Sequence, residues 1–448
     1  MHMWNKITTS VEKCRQIMFG ALDYIWAHPE TGYREWKTSK YLEEQYKELG
    51  YELGLAENIP GFYTTIDTGK EGPCILILGE MDAVICENHP EANSETGAVH
   101  ACGHAVQSAT LLGIAAAFKE PNMLDGLCGK IKLCAVPAEE LLELDFRKQL
   151  QQDGVIRYFG GKSEFLARGY FDDVDLAFMV HTIPISQYAV AKKWSGCIVK
   201  DIVYKGAASH AGAAPWNGCN ALYAATQGIT ATNAIRETFR DNDQVRVHPI
   251  VTVGGSAVNS IPEKVVLESQ VRALSIKALV NANEKVNRAL CGGAVSLGAQ
   301  IEINDVFGYC PYKNDDELIR VADEVLQSMS QGEQSLEIWP TDPGCTDMGD
   351  LSCLMPVVHL FSPGSKGKGH GDNYYITDRE TACVTSAKWQ IGILYELLKN
   401  SAERARHILD NYQAPFSTKE DFFEFKDTLD SSGDKIIYEA DGRIKIII

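Results

Sequence analysis

The runs ILIL at Ile75–Leu78, SATLLGIAAAF at Ser108–Phe118 and IKLCAV at Ile131–Val136 follow one another in the first third of the chain. The first and last runs are short, rich in branched residues and bounded by Gly or Pro, which is typical of strands buried on both faces. The middle run has the small residues and the length of a helix. Strands that alternate with helices predict an α/β fold with a mixed, mostly parallel sheet and helices on both faces.

The same pattern extends in both directions from this core. Two helices are expected before it, at Val11–Trp26 and Trp36–Leu49, on either side of the breaker His28–Gly32. The tail Lys435–Ile448 is centred on Asp-Gly, which predicts a hairpin that could add to a sheet edge. After the middle of the chain a helix, an apolar strand and a long helix are expected at Glu317–Met329, Val357–Phe361 and Glu380–Leu398.

A different pattern occupies the middle of the chain. Its order, βαββαβ, is that of a ferredoxin-like α+β unit. Because α/β signals resume after it, we expect a small domain inserted into a larger one. The six predicted elements are Ile198–Tyr204, Asn220–Arg236, Val245–Val253, Lys264–Arg272, Ala278–Cys291 and Ala299–Ile303.

Composition and charge argue against several classes of protein. The chain has 448 residues, 45% of them hydrophobic and 23% charged, which suits two or three compact domains. Its 42 Lys and Arg against 60 Asp and Glu give a net charge of -18, which would repel phosphate backbones and anionic lipids. We therefore expect no nucleic-acid partner. No run has the length and apolarity of a secretory signal or a membrane span, so we also expect no membrane partner and a cytoplasmic location.

The 13 cysteines are scattered singly, without the paired spacing of a disulfide scaffold or zinc ribbon. Most are expected to be buried small residues in a reducing compartment. Cys102 differs, because the sequence HACGH at His100–His104 places its thiol two residues from an imidazole, immediately before the helix expected from near Gln107.

Other chemically active side chains also follow apolar, strand-like runs. In PAEE at Pro137–Glu140, one carboxylate could ligate a metal while the other takes a proton from metal-bound water. Each feature alone is more often structural, but their repeated position after strands favours one shared site. The five candidate ligands are Cys102, His104, Glu140, His181 and His370.

The chain resembles the metallo-amidohydrolases that include aminoacylase-like and indole-acetyl-amino-acid hydrolases, and particularly the p-aminobenzoyl-glutamate hydrolase and dipeptidase branch. The resemblance extends to about Leu398 and implies a zinc-exopeptidase-like sheet domain with an inserted lid. In the family's order, the matching stretches are HPE with Gly32 at His28–Gly32, GEMDAV at Gly79–Val84, HACGH, PAEE, GGK at Gly160–Lys162, FDDVDLAFMVH at Phe171–His181, GAASHAGAAPW at Gly206–Trp216, AVNSIP at Ala257–Pro262 and TDMGD at Thr346–Asp350.

This resemblance implies a role for each candidate residue. Glu139 would be the general base, and Asp82 would orient a metal-bound His, although a turn or capping role suits Asp82 equally on local sequence. The metals would be zinc or manganese, with cobalt or nickel as further options. Two divalent ions per chain would be held by Cys102, His104, Glu140, His181 and His370.

In the inserted domain, His210, Asn259 and Arg272 match family positions that bind the substrate's carbonyl oxygen and carboxylate, often across a dimer. A surface salt bridge is nearly as plausible for Arg272. We accordingly expect a homodimer formed through the lid. The implied division is 1–195 for the first part of the catalytic domain, 196–307 for the lid and dimerisation domain, and 308–448 for the second catalytic part with a C-terminal extension.

The sequence departs from the family in two places. Ala105 follows His104, where the family usually has Asp or Asn, so one hydrogen bond beside the metals is missing. The charged and helical insert Leu141–Arg157 follows PAEE, where aminoacylase-like members continue into glycines. We expect this insert to reshape the substrate pocket.

The function implied is hydrolysis of the amide bond of an N-acyl or aminobenzoyl amino acid, a small molecule with a free carboxylate, by a water that Glu139 activates on the metals. One alternative is a dipeptidase acting on unblocked dipeptides. A second is a catalytically silent binding protein with the same fold.

Overall fold

The computed structural model describes residues 2–447. A π-helical turn at Glu380–Thr385 leads into the helical segment Ser386–Asn411, in which the backbone of Lys399–Ala402 is not helical. The α-helices are α1 His2–Lys13, α2 Arg15–Ala27, α3 Trp36–Glu48, α4 His104–Phe118, α5 Leu144–Gln152, α6 Gly161–Ala167, α7 Ala221–Ala234, α8 Ile276–Val295, α9 Asp316–Met329, α10 Met348–Leu351, α11 Ser386–Asn411 and α12 Lys419–Thr428.

The strands vary from two to ten residues. They are β1 Gly54–Leu55, β2 Phe62–Asp67, β3 Cys74–Glu80, β4 Val84–Ile85, β5 Ala98–Val99, β6 Lys130–Val136, β7 Leu176–Thr182, β8 Ala189–Ala191, β9 Lys193–Trp194, β10 Gly196–Lys205, β11 Arg246–Val247, β12 Ile250–Val253, β13 Lys264–Ala273, β14 Gln300–Tyr309, β15 Tyr312–Lys313, β16 Glu337–Trp339, β17 Val357–Ser362, β18 Ser365–Lys366, β19 Tyr375–Ile376, β20 Ile436–Tyr438 and β21 Ile444–Ile446.

The larger sheet has eight strands in the order β1-β2-β6-β3-β7-β17-β8-β16. Its central pairs β6–β3, β3–β7 and β7–β17 are parallel, whereas β1–β2, β2–β6 and β17–β8 are antiparallel. Every residue of β3, β7 and β17 is buried, so helices and loops cover both faces of the sheet. The predicted mixed, mostly parallel α/β fold is therefore confirmed.

The chain packs as two compact units. The first comprises residues up to Lys192 with Lys313–Thr341 and Asp350–Ser417, and the second comprises Lys193–Tyr312, Asp342–Gly349 and the chain from Thr418 onward. The sequence assigned the C-terminal extension to the catalytic domain, whereas in the structure it packs with the second unit. The functional division into 1–195, 196–307 and 308–448 stays a prediction.

The second unit has the element order that the sequence predicts. Strands β10, β13 and β14 are antiparallel neighbours, and α7 and α8 pack together beside them. Along β13 buried and partly exposed residues alternate, as expected for a sheet with only one face in a core. The tail forms the predicted hairpin from β20 and β21, although Ile448 lies outside the described residues. Ahead of it, Ser431 and Asp434 bridge to the outer edge of β14.

Helix boundaries differ from the sequence-based expectation at Cys14 and at His104. The helix predicted at Val11–Trp26 is interrupted at Cys14, which separates α1 from α2. Helix α4 begins at His104 rather than near Gln107, because Gly103 adopts a φ of 116° and turns the chain into the helix. His104 thus occupies the first turn of a fully buried helix. No helix among residues 2–447 combines the length and hydropathy needed to cross a bilayer.

Candidate metal centre and active site

The sheet places the predicted ligands at one edge. Strands β6, β3 and β7 are adjacent and parallel, so the segments that follow them meet at their shared carboxyl end. Asp82 follows β3, Glu139 and Glu140 follow β6, and His181 lies near the end of β7. His370 lies in the loop between β18 and β19. These two strands follow β17, and β17 is parallel to β7.

The five predicted ligands form two groups that share one thiol. Within each group the ligand atoms lie within 4.8 Å of one another. Sγ of Cys102 is 3.4 Å from Nε2 of His181, and Nε2 of His370 is 2.9 Å from Oε1 of Glu140. The groups are Cys102–His104–His181 and Cys102–Glu140–His370.

Asp82 connects these two groups. Nδ1 of His104 donates to the carbonyl oxygen of Asp82 at 2.9 Å and to its Oδ1 at 3.0 Å, since both partners can only accept. The other ring nitrogen, Nε2, is therefore the one that a cation could bind once it carries no proton. Oδ2 of Asp82 accepts from the backbone N–H of Glu140 at 2.8 Å. These contacts suit the predicted orienting role better than a simple turn role.

The electrostatics of the cluster favour cation binding. Burial raises the pKa of the Cys102 thiol, but the imidazoles of His104 and His181 outweigh burial and hold that pKa well below its usual range. Hydrogen bonds with Cys102 and Glu140 raise the pKa of His370 to about 11. The thiolate is the form of cysteine that binds metals. The donor set therefore fits divalent cations.

Glycine is required at position 103 by a close approach of backbone and side chains. Its φ of 116° is unfavourable for residues with a Cβ. A Cβ there would also come within 2.9 Å of the hydroxyl of Tyr374 and within 3.2 Å of Cε1 of His181. Gly103 thus allows Cys102 and His104 to lie close to His181.

Sequence reasoning missed Glu80, Lys162 and Gln107. Oε2 of Glu80 lies 3.2 Å from Nε2 of His104, and Glu80 forms a third candidate group with His104 and Glu139. Lys162 forms an ion pair with Glu80, and Nε2 of Gln107 donates a hydrogen bond to Oε2 of Glu80 at 2.9 Å. Burial raises the pKa of Glu80, but the positive charge of Lys162 outweighs it and holds that pKa far below its usual range. The available signal was a carboxylate at the end of an otherwise apolar buried strand.

The backbone of PAEE is held by a buried carboxyl group. Ala138 has a φ of 58°, an unfavourable conformation for alanine. Its N–H donates to Oε1 of Glu35 at 2.8 Å. Burial raises the pKa of Glu35 well above its usual range, and the charge of Asp82 adds to this effect. Glu35 therefore helps to set the direction in which the chain enters Glu139.

Ala105 packs into the apolar core of the first unit and is fully buried. Its methyl group cannot form the hydrogen bond that Asp or Asn could provide. The support of His104 in this chain therefore comes from Asp82 on one ring nitrogen.

The predicted substrate residues belong to the second unit. His210 bridges to Ser260, and the N–H of Ala211 donates to the carbonyl of Asn259 at 2.9 Å, so His210 and Asn259 lie close together. Nδ1 of His210 accepts from two backbone N–H groups at 2.9 and 3.2 Å, which places its proton on Nε2. Arg272 lies in β13 and donates to Oε1 of Gln270 at 2.9 Å.

Arg272 and His210 are far apart within one chain. Arg272 pairs with Cys197 at the start of β10, whereas Lys264 pairs with Lys205 at its end, next to the His210 segment. Eight strand residues correspond to about 26 Å. The structure therefore brings His210 and Asn259 together but places Arg272 at the opposite end of the strand pair.

Comparison with known proteins agrees with this fold. Residues 76–396 match the model of Peptidase family M20/M25/M40. The human Xaa-Arg dipeptidase is 29% identical over 370 residues, which cover 78% of this chain and 77% of that protein. One of the subunits of the p-aminobenzoyl-glutamate hydrolase of Escherichia coli is 26% identical over 328 residues, covering 61% of this chain and 70% of that protein.

A crystal structure of a putative aminohydrolase from methicillin-resistant Staphylococcus aureus has the same fold. Its TM-score is 0.71 at 21% sequence identity, covering 88% of this chain and 100% of the other. The family match spans well over half of the chain and includes most of the motifs that contribute to the cluster. The chain therefore belongs to Peptidase family M20/M25/M40 and is a metal-dependent hydrolase of carbon–nitrogen bonds.

Proposed function

We propose that this protein is a dinuclear amidohydrolase that cleaves the amide bond of an N-acyl or aminobenzoyl amino acid, or of a related small amide. The observation that carries this proposal is the sharing of one thiol, that of Cys102, by two ligand groups. Two groups that meet at one donor supply enough ligands for two cations. Thiolate, imidazole and carboxylate donors suit zinc, and the mixed set also accommodates manganese, cobalt or nickel.

The side chains around this cluster divide the chemical work. Two bound cations would supply the acidity of the attacking water and the polarisation of the scissile carbonyl. Glu139, which is only 9% exposed, is in the group with His104 and is the candidate to accept the proton and return it to the leaving amine. Asp82 keeps Nε2 of His104 available through its contacts with Nδ1.

The substrate class rests on carboxylate recognition and on the relatives. The guanidinium of Arg272 could bind a carboxylate through two parallel hydrogen bonds. Nε2 of His210 could donate to the carbonyl oxygen as it gains negative charge, with Asn259 beside it. The likeness to a p-aminobenzoyl-glutamate hydrolase supports an acylated amino acid with a free carboxylate.

We further propose that a complete substrate site uses two chains. Because about 26 Å separates the two ends of the β10–β13 pair, His210 and Arg272 of one chain cannot contact one small molecule. A homodimer in which each protomer donates His210 to its partner would bring the two side chains to the same substrate.

The second unit offers a surface for this homodimer. Every residue of β12 is exposed, including Ile250 at 59% and Val253 at 47%. Among residues 2–447, β12 pairs only with β13, so its outer edge can accept another strand. Ser431 and Asp434 cover the opposite edge of the sheet at β14. Strand β12 of a second copy is therefore the expected occupant.

Metal content and amine release together test the proposed function. We expect about two metal ions per chain and turnover of N-acyl amino acids or aminobenzoyl-glutamate, with Cys102→Ser losing metal and turnover together. Glu139→Gln should retain metal but lose turnover. A metal-free parent that stays inactive after zinc or manganese is added would favour a silent binding protein instead. Equal turnover by the metal-loaded parent and Glu139→Gln would contradict Glu139 as the general base.

A dipeptidase is the second candidate, and the likeness to Xaa-Arg dipeptidase supports it. The same assay distinguishes the two, because a dipeptidase would prefer substrates with a free amino terminus. Pairs of blocked and unblocked dipeptides with the same carboxyl-terminal residue isolate this difference. Faster turnover of the unblocked member would replace the N-acyl assignment.

A further inference from the structure

The insert Leu141–Arg157 contains one buried charge, on a helix whose other residues are all at least partly accessible. In α5, Asp145 is fully exposed and Gln149 is also exposed, whereas Arg147 is only 1% exposed. Arginine is rarely buried to this extent unless its donors have partners. The position of this guanidinium therefore needs a specific explanation.

Arg147 donates to two backbone carbonyl groups rather than to a carboxylate. Nη1 donates to the carbonyl of Phe159 at 2.6 Å, and Nη2 donates to the carbonyl of Glu140. Glu140 lies immediately before the insert, and Phe159 lies just after it. The side chain of Arg147 thus links the two ends of the insert. One of the two residues that it joins is the candidate metal ligand Glu140.

Surrounding residues restrict the guanidinium to this position. Gly32 lies so close that a Cβ there would overlap Nη2 of Arg147 and come within 2.9 Å of Cα of Ala138. The ring of Tyr33 has its centroid 5.6 Å from Cζ of Arg147. The buried guanidinium of Arg147 therefore lies among three segments, which are His28–Gly32, Pro137–Glu140 and α5.

The backbone of Glu140 is consequently held on both sides. Its N–H donates to Oδ2 of Asp82 at 2.8 Å, and its carbonyl accepts from Arg147. Its side chain extends from this held backbone to His370, whose Nε2 is 2.9 Å away. The His370 side chain is 52% exposed, so this ligand group has less enclosure from the protein than the group containing the buried His104.

We propose that Arg147 is a positioning residue that holds Glu140 for cation binding, so that the insert controls the affinity of the Cys102–Glu140–His370 group. This inference rests on the proposed dinuclear function. It differs from a purely structural role in one measurable respect: loss of Arg147 should weaken one of the two cation positions and leave Cys102–His104–His181 able to bind.

The test is a titration of the full-length protein with buffered free Zn²⁺, and separately with Mn²⁺, followed by elemental analysis and thermal unfolding. Arg147→Met removes both hydrogen bonds and keeps the length of the side chain. We expect one ion to bind as in the parent and the other about 10- to 100-fold more weakly. Arg147→Lys should recover part of this loss, because it keeps the charge and a donor.

Two further variants separate positioning from folding. Gln149 lies on the exposed face of α5, so the Gln149→Met protein should bind both ions as the parent does. Gly32→Ala should displace the guanidinium without changing it, and should weaken the same ion. Folding of each variant is checked by its metal-free melting temperature, and Gly32→Ala with Arg147→Lys carries the test if Arg147→Met does not fold.

Each outcome decides between the two roles. Selective weakening of one ion in Arg147→Met or Gly32→Ala, with recovery in Arg147→Lys, supports the proposal. Unchanged binding of both ions, or equal weakening of both, overturns it and leaves Arg147 as a structural contact. A parent that binds fewer than two ions would instead contradict the proposed dinuclear function itself.

Discussion

Lys162 and Glu80 form an ion pair in which neither side chain reaches solvent, with exposed fractions of 0% and 1%. Breaking such a pair by removing one partner leaves an uncompensated buried charge. We expect Lys162→Met to lower the free energy of unfolding of the metal-free protein by about 3–5 kcal/mol. Urea unfolding measures this change.

An ion pair with one exposed partner, Lys47, provides the comparison. Lys47 lies 3.5 Å from Glu43 on the surface of α3, and Lys47→Met should change stability by less than about 1 kcal/mol. Combining Lys162→Met with Glu80→Gln should recover part of the lost stability, because the buried carboxylate is then neutral. Equal effects of Lys162→Met and Lys47→Met would contradict the assigned role of the buried pair.

Asp82→Asn should weaken metal binding about 10- to 100-fold, because Asp82 holds both Nδ1 of His104 and the N–H of Glu140. Competition with a chelating dye measures the affinity. Asp67→Asn is the control, since the side chain of Asp67 is exposed and, within residues 2–447, accepts only from a turn N–H at 2.8 Å. Parent-like affinity in Asp82→Asn would return Asp82 to the turn role that its local sequence also allows.

The sequence predicted those parts of the site that local patterns can show. Glu140 and His181 come at the ends of short apolar runs, and parallel strands bring such positions to one edge without any further information. Cys102 instead follows β5, which pairs with β4 outside that sheet. The resemblance to a family then supplied a role for each residue. Their assembly into two groups that share a thiol is visible only in the structure.

The contacts that were missed join buried charges across long separations in sequence. Lys162 and Glu80 are 82 residues apart, and each belongs to a motif that was recognised without a role for that residue. Arg147 was one of several charges in a polar insert. The structure shows that this particular arginine is buried, with Gly32 packed against it. Local sequence patterns indicate how exposed a residue type is on average. The pairing of Lys162 with Glu80 and the burial of Arg147 depend instead on how segments that are distant in sequence pack together.

Gly103→Ala should destabilise the protein by about 1–3 kcal/mol and reduce its metal content, because Ala must adopt an unfavourable φ against Tyr374 and His181. Gly126→Ala is a matched control. Gly126 also has a positive φ, 81°, but a Cβ there would meet nothing within 4 Å. Melting temperature and elemental analysis of both variants separate the backbone effect from the steric one. If both variants lost stability and metal equally, the close approach of Tyr374 and His181 to Gly103 would have no measurable effect.

Glu35→Gln should stabilise the protein increasingly as the pH rises. Burial raises the pKa of Glu35 in the folded protein, whereas in the unfolded chain the pKa of a glutamate is about 4.3. The folded state therefore binds a proton that the unfolded state has lost. The stability contributed by protonated Glu35 is complete below about pH 4.3 and declines as the pH rises through the folded pKa.

The measurement is the difference in melting temperature between Glu35→Gln and the parent across a pH series. Because Gln does not titrate and can still accept from the N–H of Ala138, the difference should grow in favour of the variant above about pH 4.3. A difference that stays constant with pH would contradict burial as the cause of the raised pKa of Glu35.

A hybrid dimer tests whether His210 and Arg272 act from different chains. His210→Ala and Arg272→Ala homodimers should both lose most of their turnover, because every site then lacks one contact.

Co-expression with two different affinity tags isolates the dimer that contains one chain of each kind. If the site is shared, one of its two sites has both native side chains, and the hybrid should recover about half of the parent's turnover. A hybrid as inactive as either homodimer would place both side chains in sites formed by a single chain, contrary to their positions at opposite ends of the β10–β13 pair. Parent-like turnover in both homodimers would remove these residues from substrate binding altogether.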